Sequence, residues 1–281
     1  MMSEELTVYS ARVEKKIGFV GALTALAEQF RIHRWHIGQL FIRDFSNSYQ
    51  LTRFGVIWNY LLPVVPITVW VLLSGLRMFP SFNGVSSVVW VTMGVTLWFL
   101  FSGFLMLPIT TVEAKIREGS KSDLPLIGFV IVGYAQLFFD TMVRLIATAG
   151  VFAFFQGVPD PAAIAVPLVV VAAFLFFAGI GLILAVFNLA YRDIAKVVAM
   201  VLQYGMLLSG IVFPITEVPV LSDFVAWNPF FVFVDSIRTL CVAGTLSHPA
   251  ALAGFSASGL LIFLFACRFF YLSENRLKGF S

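Results

Sequence analysis

The sequence predicts an all-α integral membrane protein with six transmembrane helices, an N-terminal amphipathic interface helix and short re-entrant or gate helices between spans five and six. Hydrophobic residues occupy 60% of its 281 positions and charged residues 12%, against about 25% charged residues in an ordinary soluble domain. The mean hydropathy is +0.95. Uncharged segments long enough to cross a bilayer alternate with short charged ones, so we expect lipid to be the solvent of this chain.

The positive charges predict the orientation of the spans. If six spans start from an internal N-terminus, Arg77 and Arg238 fall outside, Arg144 falls within the membrane, and every other Lys and Arg lies on the cytoplasmic side. Because Lys and Arg in short loops resist translocation, this bias favours six spans over five or seven, with both termini cytoplasmic. The net charge of +3 belongs to residues beside the span ends, so nucleic acid is not an expected partner.

Residues 1–56 are predicted to form a cytoplasmic segment that carries the interface helix. Apolar residues recur at steps of three and four from Ile17 to Phe45, which indicates a helix with one apolar stripe. Such a helix would lie along the inner membrane surface; a small soluble helical subdomain is the alternative. Its other face carries Arg31, Arg34, Arg43 and Asp44.

The transmembrane domain is predicted over residues 57–272, followed by a cytoplasmic tail at 273–281. Span one should bend at Pro63 and Pro66, and span five is short and interrupted by glycine. The six spans are expected at about 57–76, 85–107, 126–155, 164–187, 197–213 and 250–272.

Two connections between the spans are informative. Residues 113–123 mix acidic and basic side chains before Pro125, which predicts a short charged cytoplasmic helix. Residues 215–249 are too long for a turn and too apolar for a solvated loop. Since irregular backbone at membrane depth must line protein or a water cavity, we expect two short re-entrant or interfacial helices here, broken at Asn228 and Pro229.

The ionisable residues within the spans are few. Asp140 and Arg144 are four positions apart on span three, so they share a face and can pair, either lining a polar pathway or locking the span structurally; the second role is favoured because a proton relay needs more groups. His33 and His36 lack a third ligand at helical spacing, so no metal site is expected. Cys241 and the inner-end Cys267 should lie too far apart for a disulfide.

Motifs of catalysis are missing from the sequence. No acid–base or nucleophile pattern is found, and no catalytic residue is proposed. A nucleotide-hydrolysing P-loop needs Gly-Lys followed by Ser or Thr, yet no lysine of this chain follows a glycine. Any ATP-driven activity must therefore use a separate subunit.

Span two is crowded with aromatic residues, and spans four and five contain small residues. The rings could contact the apolar face of a sugar, or they could face lipid and the interfacial belts. The small residues, such as Gly179 and Gly181, predict close helix packing within or between protomers. The candidate rings of a substrate channel are Trp90, Trp98, Phe99, Phe101 and Phe104.

Several short strings, in order along nearly the whole chain, resemble the membrane subunit of ABC-2 type exporters of cell-surface polysaccharides. These strings are Phe54-Gly55-Val56-Ile57-Trp58 with Leu62-Pro63, Leu97-Trp98-Phe99 with Phe101-Ser102, Tyr191-Arg192-Asp193, Ser209-Gly210-Ile211-Val212-Phe213-Pro214, Trp227-Asn228-Pro229 and Ser236-Ile237-Arg238. Phe54 replaces a common Leu, and Leu124-Pro125 replaces the usual Phe-Pro. The string at 209–214 resembles the capsule type, and that at 191–193 resembles the O-antigen type.

The resemblance implies a homodimeric channel in a bacterial inner membrane. It would work with two copies of a cytoplasmic ABC ATPase, which would bind ATP and Mg. Its substrate would be a lipid-linked polysaccharide of the capsule, O-antigen (lipopolysaccharide) or teichoic acid kind. This chain itself would bind no cofactor and would contact membrane lipid. The alternatives are an ABC-2 type drug or lipid exporter and a secondary transporter. The implied sites are ATPase coupling at Arg43, Asp44, Glu113, Lys115, Arg117 and Glu118, an outer gate at Trp227, Asn228, Pro229 and Arg238, and a span-four exit motif at Tyr191, Arg192 and Asp193.

Overall fold

The computed structural model describes residues 18–47, 57–76, 85–118, 124–212 and 225–278. These ranges are helical and contain no β-strand, which confirms the all-α class. Short 3-10 turns at Pro161–Ala165 and Val225–Trp227 precede the fifth and seventh helices. The α-helices of the described ranges are α1 Phe19–Asn47, α2 Ile57–Gly75, α3 Ser87–Arg117, α4 Leu126–Phe155, α5 Val166–Ala190, α6 Asp193–Leu208, α7 Pro229–Val242 and α8 Pro249–Lys278.

Four helical segments of the described chain are long and apolar enough to cross a membrane. They correspond to predicted spans two, three, four and six. The helix α2 takes the place predicted for span one, and α6, with 16 residues, takes the place of span five; a total of six crossings stays a prediction. The four segments are Ser87–Arg117, Leu126–Phe155, Pro161–Ala190 and Pro249–Glu274.

The helix α3 lies at the centre of the described bundle. It packs against α2, α4, α5, α6 and α7, while α8 packs on α5 and α1. The core between these helices is aromatic, because side chains from α3, α5, α7 and α8 meet there. Its largest fully buried rings are Phe101, Phe104, Phe177, Phe233 and Phe270.

Glycines bring α5 into backbone contact with α3 and α8. A Cβ on Gly181 would lie 2.5 Å from the Leu105 carbonyl oxygen, and one on Gly179 would lie 3.0 Å from the Phe263 backbone nitrogen. A Cβ on Gly259 of α8 would lie 3.0 Å from the Cα of a residue on α5. The small residues predicted to allow close packing therefore do so within one protomer.

The second span does not end where the sequence predicted. Instead of a break after residue 107 and a separate charged helix, α3 continues through Pro108 to Arg117. A proline inside a helix leaves the carbonyl four residues earlier without its N–H partner. Here that carbonyl belongs to Phe104, and the Tyr134 hydroxyl donates to it at 2.9 Å. The Tyr134 hydroxyl, on α4, thus supplies the hydrogen bond that Pro108 cannot donate, and α3 continues past the proline.

The helix α6, at the place predicted for span five, lies closer to the N-terminus than the predicted range of 197–213. It begins at Asp193, whose charge favours a helix start, and it ends at Leu208. Gly210 has a φ of +64°, a left-handed conformation that commonly follows a helix end because glycine has no Cβ. The early part of the predicted outer segment, 215–224, lies outside the described residues.

The last helix extends past the predicted start of the tail at residue 273. It continues to Lys278, and Glu274, which is 2% exposed, accepts a hydrogen bond at 2.7 Å from the Leu126 N–H. The residue before α4 is Pro125, whose side chain cannot cap. Glu274 therefore supplies an acceptor for one of the unpaired N–H groups at the start of α4.

The N-terminal helix α1 lies against α4 and α8. Ile37 is buried against Leu124 and Val132, and the Phe45 ring meets Phe139 edge-on with centroids 4.9 Å apart. The predicted apolar stripe is thus buried in part along α4. Residues 1–17 and 48–56 lie outside the described residues, so the cytoplasmic N-terminal segment stays a prediction.

Candidate functional site

Four of the predicted coupling residues lie together at the last turn of α3. Arg117 donates to Glu113 at 2.9 Å, and Lys115 donates to Glu118 at 2.8 Å. The Arg117 and Glu118 side chains are 72% and 58% exposed, so these ion pairs contribute little to stability. They do present both signs of charge at the predicted inner end of the bundle, where a partner protein can contact them.

A buried residue, Asn188, joins this charged turn to the start of α6. Its amide Nδ2 donates to Glu113 at 2.9 Å, and its Oδ1 accepts from the Ala195 N–H at 2.9 Å. Asn188 is 1% exposed. The first turn of α6 lacks a cap of its own, since the side chain of Arg192 makes no capping bond. Asn188 on α5 therefore caps α6 and holds α3 at the same time; we call these contacts the Asn188 linkage.

The predicted exit motif forms the turn between α5 and α6. Tyr191, Arg192 and Asp193 are all exposed, and Asp193 pairs with Lys196 at 3.1 Å. Their side chains lie at the surface, whereas Asn188 makes the buried contacts of this corner. The structure thus brings the motif near the linkage without placing its side chains in it.

The other predicted coupling pair lies apart from the α3 cluster. Arg43 pairs with Asp44 at 2.9 Å, one turn or less from the contact of Phe45 with Phe139. The α3 cluster instead meets α4 at Phe129, whose ring lies 5.0 Å from the Lys115 Nζ. Ten residues of α4 separate the two contact points, about 15 Å at 1.5 Å per residue. The two groups therefore lie at different places along α4.

The five candidate channel rings divide by burial. Phe99 is half-buried, with the Arg144 guanidinium 4.7 Å from its ring centroid. The other rings lie inside one protomer. For example, the ring centroids of Trp98 and Phe230 are 4.5 Å apart. A channel-lining role for them stays a prediction. The four buried rings are Trp90, Trp98, Phe101 and Phe104.

The two charged residues of α4 contact polar and aromatic groups. Asp140 accepts from the Gln136 amide at 3.3 Å, and Arg144 lies over Phe99 of α3. One turn beyond Arg144, the Thr148 and Thr96 hydroxyls are 2.8 Å apart and buried. These contacts tie α4 to α3, which is consistent with a structural role for this face of α4.

At the predicted outer end, Arg238 of α7 holds the end of α6. Its Nη1 donates to the Gly210 carbonyl at 2.8 Å, and its Nη2 donates to those of Ile211 at 2.9 Å and Trp90 at 2.8 Å. Its guanidinium lies 4.0 Å from the Trp90 ring centroid. Since the residue is 3% exposed, these charge-assisted bonds act away from water. Arg238 therefore binds two carbonyls of the turn that follows α6 and one carbonyl of α3.

The predicted break at Asn228 and Pro229 is the start of α7. Asn228 accepts from the Phe230 N–H at 3.0 Å, which makes it the N-cap, and Pro229 occupies the first helical turn. The Asn228 amide also donates to the Ser209 hydroxyl at 3.0 Å. Trp227, in the preceding 3-10 turn, is 80% exposed. Both Asn228 and Arg238 thus bind the end of α6, one from each end of α7.

The sequence did not single out Asn188 or Glu274. Each is a polar residue in or beside an apolar helical run. Such a position is itself a sequence signal, because a polar side chain buried in an apolar run needs a hydrogen-bond partner. The partner could not be read from spacing, since Glu113 and Leu126 are distant in the chain. Among the described residues, no group of His, Cys, Asp and Glu could hold a metal ion.

A helical bundle with four segments long and apolar enough to cross a membrane defines the class as a multi-span membrane protein. The chain belongs to the ABC-2 type transporter family, whose model matches residues 36–242 of the 281. This domain is the permease part of ABC transporters and lacks the ATPase site, which resides on a partner ABC ATPase. No curated protein matches the chain.

Proposed function

We propose that this chain is the transmembrane half of an exporter that moves a lipid-linked cell-surface polysaccharide, of the capsule or O-antigen kind, across the bacterial inner membrane. It would act as a homodimer with two copies of an ABC ATPase that binds ATP and Mg. Family membership supports the ATP-driven part, and the ordered strings that resemble polysaccharide exporters support the substrate. The structural observation that carries the proposal is the Asn188 linkage.

The linkage gives a route for motion from the ATPase to the outer end. A push on the charged turn of α3 reaches Asn188 and, through the Ala195 N–H, the start of α6. The 16 residues of α6 span about 24 Å as a rod. Its other end is held by Asn228 and Arg238, so α7 must follow when α6 moves. Closure of the ATPase would in this way move the outer gate as a rigid-body change.

The docking part of the proposal is tested by replacing two exposed residues, Arg117→Ala with Glu118→Ala. ATP hydrolysis and glycan export are measured together in vesicles that contain the ATPase partner. We expect less export for each ATP hydrolysed, because neither residue is buried and the fold should be kept. Ala257→Ser, at an exposed position on α8, serves as the control. Unaltered coupling in the double variant would remove the docking assignment.

The substrate part is tested in cells that lack the chain. We expect the surface glycan to be lost and its lipid-linked form to accumulate inside, with restoration by the wild-type chain. A normal glycan surface combined with sensitivity to apolar drugs, or with a changed lipid composition, would instead assign the drug or lipid exporter function. Export driven by an ion gradient without ATP would assign a secondary transporter.

A further inference from the structure

The predicted outer end contains a cavity that the gate contacts leave open. It has a volume of about 220 Å³ and lies between the first turns of α3, the outward face of α7 and the turn that joins α7 to α8. Its apolar walls include the Phe231 ring and Val242, and Trp90 also lines it. This volume is below the ~300–1,000 Å³ typical of drug-sized ligand sites, which restricts the occupant to one small unit.

The polar part of the lining combines opposite charges. Asp235 and Arg238 are three positions apart on α7, so both lie on the face toward the cavity, and they are 7% and 3% exposed. Ser247 and His248 from the following turn lie beside the Asp235 carboxyl. A phosphate would be repelled by Asp235, and an ammonium group would be repelled by Arg238. The lining therefore favours a neutral ligand.

The hydrogen-bonding capacity of the lining is also incomplete. Arg238 spends Nη1 and Nη2 on three carbonyls, and its Nε is buried without a hydrogen-bond partner among the described residues. The Thr239 hydroxyl donates to the Asp235 carbonyl at 2.9 Å, so its oxygen can still accept. Because Nε is covered by protein, the groups that a ligand in the cavity can use are the Asp235 carboxylate and the Thr239 hydroxyl.

These features together match a sugar ring. The hydroxyls of a saccharide donate to a carboxylate and to a hydroxyl oxygen, which Asp235 and Thr239 supply here. The apolar face of its ring packs on the apolar wall of the cavity, which includes Val85 and Val242. We infer that this cavity binds a single neutral monosaccharide unit of the exported chain at the outer gate, with Asp235 as its principal acceptor. The inference rests on the proposed function for the identity of the substrate.

Because Arg238 also holds the end of α6, a bound sugar unit would contact the same side chain that fixes the gate. Occupancy of the cavity would stabilise the position of α7 seen here. Binding of a segment of the exported chain would thus be coupled to the position of the gate. This assigns Asp235 and Thr239 a ligand-binding role that no motif in the sequence indicated.

The test uses the purified full chain in lipid nanodiscs and saturation-transfer NMR with glucose, N-acetylglucosamine, rhamnose, glucuronate and inorganic phosphate as probes. We expect at least one neutral sugar to bind at millimolar concentration, and Asp235→Asn to weaken that binding about tenfold, the effect of roughly 1.4 kcal/mol. Val242→Phe, which fills the cavity from an apolar wall, should abolish binding. Leu246→Phe, outside the cavity lining, should not.

The outcomes separate the two proposals. Binding that persists in Val242→Phe, or absence of binding by every neutral sugar, would overturn the cavity as a saccharide site. Tighter binding of glucuronate or phosphate than of neutral sugars would assign Arg238 to an anion and would equally overturn it. If cells lacking the chain keep their surface glycan while the purified protein still binds sugar at this cavity, the proposed export function fails and the site stands.

Discussion

Exchanging the Asn188 amide and the Glu113 carboxylate tests whether the Asn188 linkage transmits movement between α3 and α6. Asn188 is 1% exposed and the Glu113 side chain is 25% exposed, so their hydrogen bond is largely shielded. Asn188→Asp removes the donor, at about 1.5–3 kcal/mol for a bond to a charged group. It also places two carboxylates together, a repulsion of up to about 4 kcal/mol at ~4 Å and an effective dielectric of ~20.

Adding Glu113→Gln to Asn188→Asp should restore the bond with its direction reversed. The new amide at position 113 would then donate to the new carboxylate at position 188, whose other oxygen would still accept from the Ala195 N–H. The Arg117 pair is lost, but at 72% exposure of that side chain it is worth about 1 kcal/mol or less. The exchange moves the carboxylate from a 25% exposed to a 1% exposed position, which costs desolvation. We therefore expect the double variant to recover most of the loss, with a coupling energy of about 2 kcal/mol or more.

Two measurements check this expectation. Thermal unfolding in detergent ranks the stability of the four proteins in the cycle, and vesicles with the ATPase partner give export for each ATP hydrolysed. Asn188→Asp should lower both quantities, and the double variant should recover both. Recovery of stability alone would show that the linkage only supports the fold. A single variant as active as wild type, or a double variant no better than the single, would refute the reasoning.

Three further changes have defined outcomes. Gly94→Ala should destabilise by about 1–3 kcal/mol, because its Cβ would collide with the buried Arg238 guanidinium; a lowered melting temperature checks this. Tyr134→Phe should cost about 1–3 kcal/mol by leaving the Phe104 carbonyl unpaired beside the helix proline, seen as faster hydrogen exchange in that turn. Asn228→Ala should cost about 1 kcal/mol as a lost N-cap and loosen export gating, seen as leak of small solutes.

The controls use positions without such contacts. A Cβ on Gly150 of α4 would meet no atom within 4 Å, so Gly150→Ala should be neutral or stabilising by up to about 1 kcal/mol through helix propensity. Phe154→Leu removes an aromatic ring that is 82% exposed and should leave the melting temperature unchanged. A Gly94→Ala protein as stable as Gly150→Ala would show that Arg238 can move without cost.

The lengths of the apolar segments in the sequence made much of the fold predictable. The third span was predicted at 126–155 and is a helix over those residues, because its ends are marked by Pro125 and by a polar turn. The start of α7 was predictable for the same kind of local reason, since Asn228 followed by Pro229 has the chemistry of a helix cap and first turn. Such signals lie within a few residues of the feature that they predict.

The features that sequence reasoning missed depend on partners far along the chain. Where α3 continues through Pro108, the Tyr134 hydroxyl bonds the Phe104 carbonyl, and the turn that follows α6 is bonded by the Arg238 guanidinium. Spacing reveals which groups need partners, but only the packed fold shows which residues supply them. The candidate site was similarly divided: Glu113 and Arg238 were named from patterns and resemblance, whereas Asn188 became visible only through its contacts.

The glycine contacts of α5 limit how the bundle can change shape. With backbone touching backbone at Gly179, Gly181 and Gly259, displacement of α5 by even an ångström along or away from α3 and α8 would drive main-chain atoms together or expose a slit to lipid. These three helices therefore translate as one block. In the homodimer proposed above, a passage would therefore open by separation of the two blocks at the contact between chains, with the packing inside each block unchanged.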